Sequence, residues 1–333
     1  MLNCAIIGFG GLGKVHFKNI SLMDDVNITA LCDVKENAFS MKTDTNIGKD
    51  NAEIDISKYV TYADYRELLT KETLDFVIIA VPTYLHAEIS IAALEAGVHT
   101  FCEKPMARSY SDSQRMLAKT KETGKRLMIG HTLRFYPEYV YLREKITNGE
   151  FGQVISANFE RLSLTPAWSC PNWFLDYEKS GGAAMDLHIH DVDMIYWLFG
   201  FPQSVSSSAT HFATKFDSIR TSYSYTDYPG MLITAVGDWG LTAGFGFRMS
   251  FFVRFEKAVI EMNPQGFFVY TEKEIIKPEL PKKDPYYEEI REFISCITEN
   301  RTSLINPPED SADTLKLTLL EIESATKGEK INA

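Results

Sequence analysis

The sequence predicts a two-domain α/β protein: a parallel sheet covered by helices, followed by an α/β domain with an open, predominantly antiparallel sheet. Three observations carry this prediction. The 333 residues exceed one comfortable domain. The first 130 or so alternate short apolar runs with helical patterns, as a parallel sheet with right-handed crossovers requires. Beyond about residue 132 extended runs follow one another, rich in Thr, Ser, Phe and Val with polar residues between them, which suits a sheet with one protected face. The boundary is therefore set between 1–131 and 132–333, with the C-terminal helices able to pack back on the first domain.

In chain order, Leu2 to Ile7 is a strand and Gly11 to Leu22 a helix; Val26 to Cys32 is the second strand, and a helix starts near Lys35. A short strand is expected at Lys58 to Thr61 and a helix at Tyr65 to Leu69. Phe76 to Ala80 is strongly strand-like, Tyr84 to Glu95 is helical, and Val98 to Cys102, Ser111 to Thr123 and Leu127 to Gly130 continue the alternation. A helix from Tyr136 to Thr147 ends at Asn148-Gly149, and Val154 to Glu160 is extended. Residues 161–182, rich in Trp, Pro and Gly, read as a long loop before a helix that begins near Gly182 or Ala183. Strands are expected at Leu232 to Asp238, Phe247 to Phe255 and Ala258 to Met262. Helices at Tyr286 to Glu299 and Pro308 to Thr326 close the chain.

Composition narrows the function classes. Lys and Arg number 34 against 45 Asp and Glu, a net charge of −11 that argues against a large nucleic-acid surface. Cys4, Cys32, Cys102, Cys170 and Cys296 are odd in number and form no CxxC pair, so they read as reduced, buried thiols of a cytoplasmic protein. No apolar stretch is long enough to span a membrane, and the N-terminus carries no secretory pattern.

The first strand runs into Gly8-Phe9-Gly10-Gly11-Leu12-Gly13, a GxGxxG between strand and helix. Gly8 can make the tight turn, Gly10 can admit a pyrophosphate to the backbone, and Gly13 can let helix and strand pack closely. Asp33 follows the second strand, where a carboxylate accepts hydrogen bonds from a ribose diol and repels a 2′-phosphate. NAD is therefore expected, with NADP the alternative because Lys35 stands nearby. Val81-Pro82-Thr83-Tyr84-Leu85-His86 leaves the next strong strand at the same sheet edge. Pro82 ends the strand, Thr83 can cap the following helix, and His86 either lines the cofactor cleft or packs. Glu103-Lys104-Pro105 is delivered to that edge too, and Pro105 holds Lys104 extended. A lysine so placed can stabilise an alkoxide; a surface Glu-Lys pair is the plainer reading.

The stretch SGGAAMDLHIHDVD, Ser180 to Asp193, concentrates two histidines and three aspartates. On an α-helix Asp186, His190 and Asp193 share approximately one face, while His188 and Asp191 point elsewhere. Paired helical metal ligands are spaced by four, as in HExxH, so the two histidines are poorly phased for a metal and none is expected. Histidine is the side-chain type in this group whose unperturbed proton affinity lies near neutrality, so His190 can accept a hydroxyl proton, with Asp186 orienting it or holding a substrate hydroxyl. His188 and Asp193 have local structural hydrogen bonding as their alternative.

These signals together, GFGGLG, VPTYLH, EKP and GGAAMDLHIHDVD, resemble the glucose-fructose oxidoreductase and inositol dehydrogenase superfamily, the Gfo/Idh/MocA family, over nearly the whole chain. The resemblance implies an N-terminal Rossmann domain and a C-terminal domain whose sheet supports oligomerisation. It implies Lys104 as the catalytic lysine, with Glu103 organising the cofactor site, Asp186 at the substrate hydroxyl and His190 transferring the proton. Arg134, in His131-Thr-Leu-Arg-Phe-Tyr-Pro137, is implied near the nicotinamide and interdomain cleft, and Trp173 over the ligand; domain packing is the alternative for both. His188 departs from the family pattern, where a glycine is common. The expected reaction is NAD-dependent interconversion of a secondary hydroxyl and a carbonyl on a sugar, polyol or cyclitol, in a homodimer or homotetramer without nucleic-acid or membrane partners. The rivals are glycoside cleavage or rearrangement through transient oxidation, and a non-enzymatic dinucleotide or sugar sensor.

Overall fold

Six strands leave their carboxyl ends at one edge of a fully parallel sheet, and this edge organises the first unit. The computed structural model describes residues 1–39, 43–45, 48–50, 55–166, 173–212, 214–226 and 230–333. Contacts divide it into a unit of Met1–Thr132 with Asp284–Ala312, and a unit of Leu133–Lys283 with Asp313–Ala333. The segment from Asp284 to Ala312 groups with the first unit, beyond the boundary set near 131 and in line with C-terminal helices that pack back on the first domain.

In the first unit the strands are β1 (Leu2–Ile7), β2 (Val26–Cys32), β5 (Val60–Tyr62), β6 (Phe76–Ile79), β7 (His99–Glu103) and β8 (Leu127–Gly130), in the order β5-β2-β1-β6-β7-β8. A small antiparallel ladder, β3 (Thr43–Thr45) with β4 (Gly48–Asp50), stands outside this sheet. The strand order reverses between β1 and β6, the place where an open α/β sheet leaves a crevice at its carboxyl edge. β1 and β6 are apolar and buried because both faces are covered. The covering helices are α1 (Gly11–Ile20), α2 (Tyr65–Lys71), α3 (His86–Glu95) and α4 (Tyr110–Thr123). The helix expected near Lys35 is a single 3-10 turn, Glu36–Phe39.

The second unit opens with α5 (Pro137–Asn148), capped by Gly149 in the left-handed region at φ 67°. Its nine-stranded sheet contains β9 (Val154–Leu164), β10 (Ser204–Thr210), β11 (Ser218–Ser224), β12 (Leu232–Leu241), β13 (Arg248–Phe255), β14 (Ala258–Asn263), β15 (Gly266–Thr271), β16 (Ile275–Ile276) and β17 (Ile331–Asn332). The order is β16-β15-β14-β13-β9-β12-β11-β10-β17, antiparallel throughout except for the central β9–β12 pair. Strict in-out alternation along β12 and β13 leaves one face for the core and one turned outward. The inner face packs α5 and α7 (Ile189–Phe199) through Tyr139, Phe159, Val192, Ile195 and Phe251. The short α6 (Tyr177–Ser180) precedes α7, while α8 (Pro285–Thr298) and α9 (Pro308–Lys327) close the chain.

β9 reaches Leu164, taking four residues from the expected loop. Arg161 hid this extension, since a charge in a strand reads as an ending; here it is buried and paired. Among the described residues no helix is long and apolar enough to cross a membrane. Cys4, Cys32, Cys102 and Cys296 are buried free thiols, and Cys170 lies outside the described residues.

Candidate active site

The glycine loop after β1 is shaped by what a side chain would strike. Gly8 has φ +94°, and an added Cβ would stand 2.5 Å from the Ala80 carbonyl oxygen. A Cβ on Gly13 would collide with the Gly8 carbonyl, so only glycine lets α1 start this close to the loop. Gly10 differs: nothing lies within 4 Å of where its Cβ would be. It occupies the N-cap of α1 without any side-chain cap, next to the half-buried Gly11 and Leu12. An uncapped helix start beside open space, with no acidic residue in the first turn, suits a pyrophosphate.

The Phe9 side chain faces away from that space. It is fully buried, edge-on to Phe17 and stacked with Phe39 at 5.9 Å, so Phe9 serves the loop through its backbone. Its amide donates to Asp33 Oδ2 at 2.8 Å, while the Lys35 amide donates to Oδ1 at 2.9 Å. Asp33 is thereby fixed at the end of β2, its carboxylate aimed by two amides. Lys14, which sequence reasoning passed over, is buried one turn into α1; burial lowers its proton affinity and Asp33 opposes that.

The next loops are tied together by His86. Rather than offering its ring to a ligand, it is buried, with Nδ1 2.7 Å from the Pro105 carbonyl and Nε2 2.8 Å from that of Val81. Burial is the main influence and pushes its pKa down, against the two carbonyls. Thr83 lies inside a 3-10 turn, Thr83–Leu85, whose cap position is Pro82; it does not act as the expected side-chain cap. Glu103 is buried and accepts from the Lys104 amide at 3.2 Å, while the Lys104 side chain is half-exposed. The Lys104–Pro105 peptide is cis.

In the second unit the stretch from Ser180 to Asp193 departs from a plain α-helix. Residues Ala184–His188 form a π-helical turn that continues into α7. From Gly181 to Ile195 every residue is buried except Asp186 and His190. Four positions apart across the wider turn, these two break the surface together. π-turns inside α-helices recur at functional sites.

The remaining polar residues of the stretch hold it in place. Asp193, expected on the face of His190, lies about 60° from it around the helix and is buried. It accepts from Arg134 Nε at 3.0 Å and Nη2 at 2.7 Å, and from Thr314 Oγ1 at 2.9 Å. This supports a packing role for Arg134, whose guanidinium is wholly buried. Asp191 pairs with Arg161 at 3.0 and 3.1 Å. His188 is accounted for: its Nε2 is 2.9 Å from Glu321 Oε2, and Glu321 also accepts from Tyr223 and Thr221. The histidine takes this place because β12 passes at Gly237, where a Cβ would lie 2.6 Å from that of His188. Trp173, half-exposed, stacks on Phe174 at 4.2 Å, and Phe174 packs on Ala183, Leu187 and Trp239.

Among the described residues, the group whose histidine and carboxylate atoms converge within metal-ligand reach is His16, Glu103 and Glu289 in the first unit, outside the 186–193 stretch. Neither His16 nor Glu289 was singled out from sequence. Glu289 lies far downstream in a helix whose amphipathic pattern gives no sign of a buried acid.

A family model described as "Oxidoreductase family, NAD-binding Rossmann fold" matches residues 2–131, and one described as "GFO/IDH/MocA C-terminal domain" matches 139–261. The chain is 31% identical over 201 residues to a myo-inositol 2-dehydrogenase of Thermotoga maritima, covering 60% of this chain and 55% of that protein. It is 30% identical over 207 residues to a 2,7-anhydro-N-acetylneuraminate hydratase of Escherichia coli, covering 62% and 52%. The chain thus spans about half the length of the curated relatives it matches. An aldose-aldose oxidoreductase of Caulobacter crescentus shares the fold with TM-score 0.85 at 20% identity, covering 100% of this chain and 99% of that one. With both family models matched in order, and an uncapped glycine loop to receive the cofactor, the chain belongs to the Gfo/Idh/MocA oxidoreductase family, its first unit an NAD-binding Rossmann fold.

Proposed function

We propose that this protein is an NAD-dependent oxidoreductase that interconverts a secondary hydroxyl and a carbonyl on a polyol, cyclitol or sugar. The observation that carries the reading is the joint emergence of Asp186 and His190 from a stretch, Gly181 to Ile195, that is otherwise buried. A carboxylate and an imidazole four positions apart at the two half-buried positions suit binding and deprotonating a hydroxyl. Asp186 accepts a hydrogen bond from the substrate hydroxyl, and His190 takes its proton. Lys104 orients the same hydroxyl and stabilises its developing negative charge. Asp33 accepts from the adenosine ribose, and the Gly10–Gly11 amides receive the pyrophosphate. When bound, the oxidised nicotinamide supplies the hydride acceptor. Trp173 shields the ligand, and the outward face of the second sheet joins copies of the chain into a homo-oligomer.

The test is single-turnover NAD reduction across a panel of polyols, inositols and sugars, with a parallel NADP arm. Loss of hydride transfer in His190→Asn and in Lys104→Ala, with folding intact, is expected; normal rates in both variants would refute the assignment. The Escherichia coli relative is named a hydratase, which favours one second reading: transient oxidation and re-reduction of a sugar. Tightly held NAD, product formation and no net NADH would select it.

A further inference from the structure

The first unit buries a constellation that the proposed reaction does not use directly. His16 on α1, Glu103 at the end of β7 and Glu289 on α8 are 0%, 4% and 0% exposed, and their ligating atoms all lie within 4.8 Å of one another. His16 Nε2 is 2.6 Å from Glu103 Oε1, and the other Glu103 oxygen accepts from the Lys104 amide. Among the described residues neither oxygen of Glu289 has a hydrogen-bond partner. Phe101 and Tyr286 wall the His16 ring edge-on at 5.4 and 6.1 Å. Gly130 backs onto Glu103, where a Cβ would stand 3.0 Å from the carboxylate.

Two carboxylates cannot both stay ionised here. One imidazole contacts only one of them, Glu103, and a second buried charge on Glu289 would have no partner. The groups facing Glu289 agree: His16 from α1, Glu103 from β7, and Asp284 on its own helix. Burial, then the charges of Glu103 and Asp284, push its proton affinity well up. A metal is the rival occupant, but two ligands on one tetrahedral zinc stand about 3.3 Å apart. The 2.6 Å contact is that of a charge-assisted hydrogen bond.

We propose that Glu289 is held as a neutral carboxylic acid and completes, with His16 and Glu103, a proton-sharing triad that positions the main chain of Lys104. Glu289 is thus a positioning residue, and its effect on rate rests on the role proposed above for Lys104. The triad's proton inventory stands independently of that role: one proton between His16 and Glu103, one on Glu289.

The experiment is infrared spectroscopy of the full chain at neutral pH with NAD bound, alongside single-turnover kinetics. A carbonyl-stretch band of a neutral carboxylic acid, shifted in D2O and missing from Glu289→Gln, is expected. Glu289→Gln, neutral and isosteric, should keep hydride transfer within about threefold, whereas Glu289→Leu should lose on the order of tenfold to a hundredfold as Lys104 is misplaced. If the Leu variant fails to fold, the infrared band and the Gln variant still decide. No band lost in Glu289→Gln, or one zinc ion per chain retained after dialysis against Zn²⁺ and released by that substitution, overturns the triad. Equal slowing in folded Gln and Leu variants overturns the neutral-acid positioning. An unchanged rate in Lys104→Ala with the band present removes the rate effect alone, and so separates failure of the proposed function from failure of the triad.

Discussion

Replacing both members of the Arg161–Asp191 pair should restore most of the stability that replacing either one removes. The guanidinium on β9 meets the carboxylate in the first turn of α7 through two hydrogen bonds of 3.0 and 3.1 Å, with side chains 4% and 0% exposed. At that separation the attraction is about 5–6 kcal/mol for an effective dielectric constant of roughly 20. Most of it offsets the cost of taking both charges out of water. Arg161→Met or Asp191→Leu alone should therefore destabilise the second unit by about 3–5 kcal/mol, since each strands a buried charge. The double variant, hydrocarbon facing hydrocarbon, should lie within about 1–2 kcal/mol of the parent protein. The assay is urea unfolding followed by intrinsic tryptophan fluorescence. The three described tryptophans, Trp173, Trp197 and Trp239, fall in the second unit, and the fourth, Trp168, lies close to Trp173 in sequence, so the signal reports that part of the chain. Single variants costing under about 1 kcal/mol, or a double variant as unstable as the two singles summed, would refute the reasoning.

Gly10→Ala should leave the urea midpoint read by far-ultraviolet circular dichroism, which includes the first unit, unchanged, because its Cβ meets nothing, yet weaken NAD binding about tenfold by filling the pyrophosphate space; cofactor fluorescence titration measures this, and unaltered affinity would move the phosphates elsewhere. Gly237→Ala should destabilise the second unit by about 1–3 kcal/mol through collision with His188, with Gly244→Ala, which has open space, as the neutral control in the same urea assay. His99 supplies a pH prediction. Burial, then Lys125 and Arg126, lower its pKa to about 4, and Nδ1 accepts from the Arg126 amide. The unfolded chain protonates first, below its value near 6.5, so stability should fall from about pH 6.5 towards 4. Urea midpoints read by far-ultraviolet circular dichroism, which includes the first unit, should show a smaller fall across that window in His99→Gln.

What the sequence revealed tracks how local the cause is. β1 and β2 were legible to the residue because each ends in an apolar run, Cys4 to Ile7 and Ala30 to Cys32, that is buried where the strand crosses the sheet's core. The glycine loop was legible because its three glycines fall within six positions between a strand and a helix, although the atom that Gly8 must avoid belongs to Ala80. The π-turn was not, and Asp193, three positions beyond His190 on the same α-helix, is consumed by Arg134 and Thr314, partners remote in sequence. His86 and Arg134 show the same limit, since residue type advertises polar chemistry while the partner that consumes it lies elsewhere. Glu289 carried no signal, because a buried acid is recognisable only once its neighbours are known. The expected loop around Trp168 and Cys170 falls outside the described residues.

Asp33 does two jobs with one carboxylate. The oxygen that accepts from Phe9 braces the glycine turn, so the residue that would discriminate between dinucleotides also maintains the turn that would receive both. A lineage or a laboratory seeking a phosphorylated cofactor therefore meets a coupled constraint. Removing the acid lifts the repulsion and loosens the loop together, unless a neutral acceptor such as asparagine takes over the Phe9 amide, at the cost of the bond from the Lys35 amide to the other oxygen. Asparagine at position 33, combined with a basic neighbour, is the shortest mutational route to such a switch.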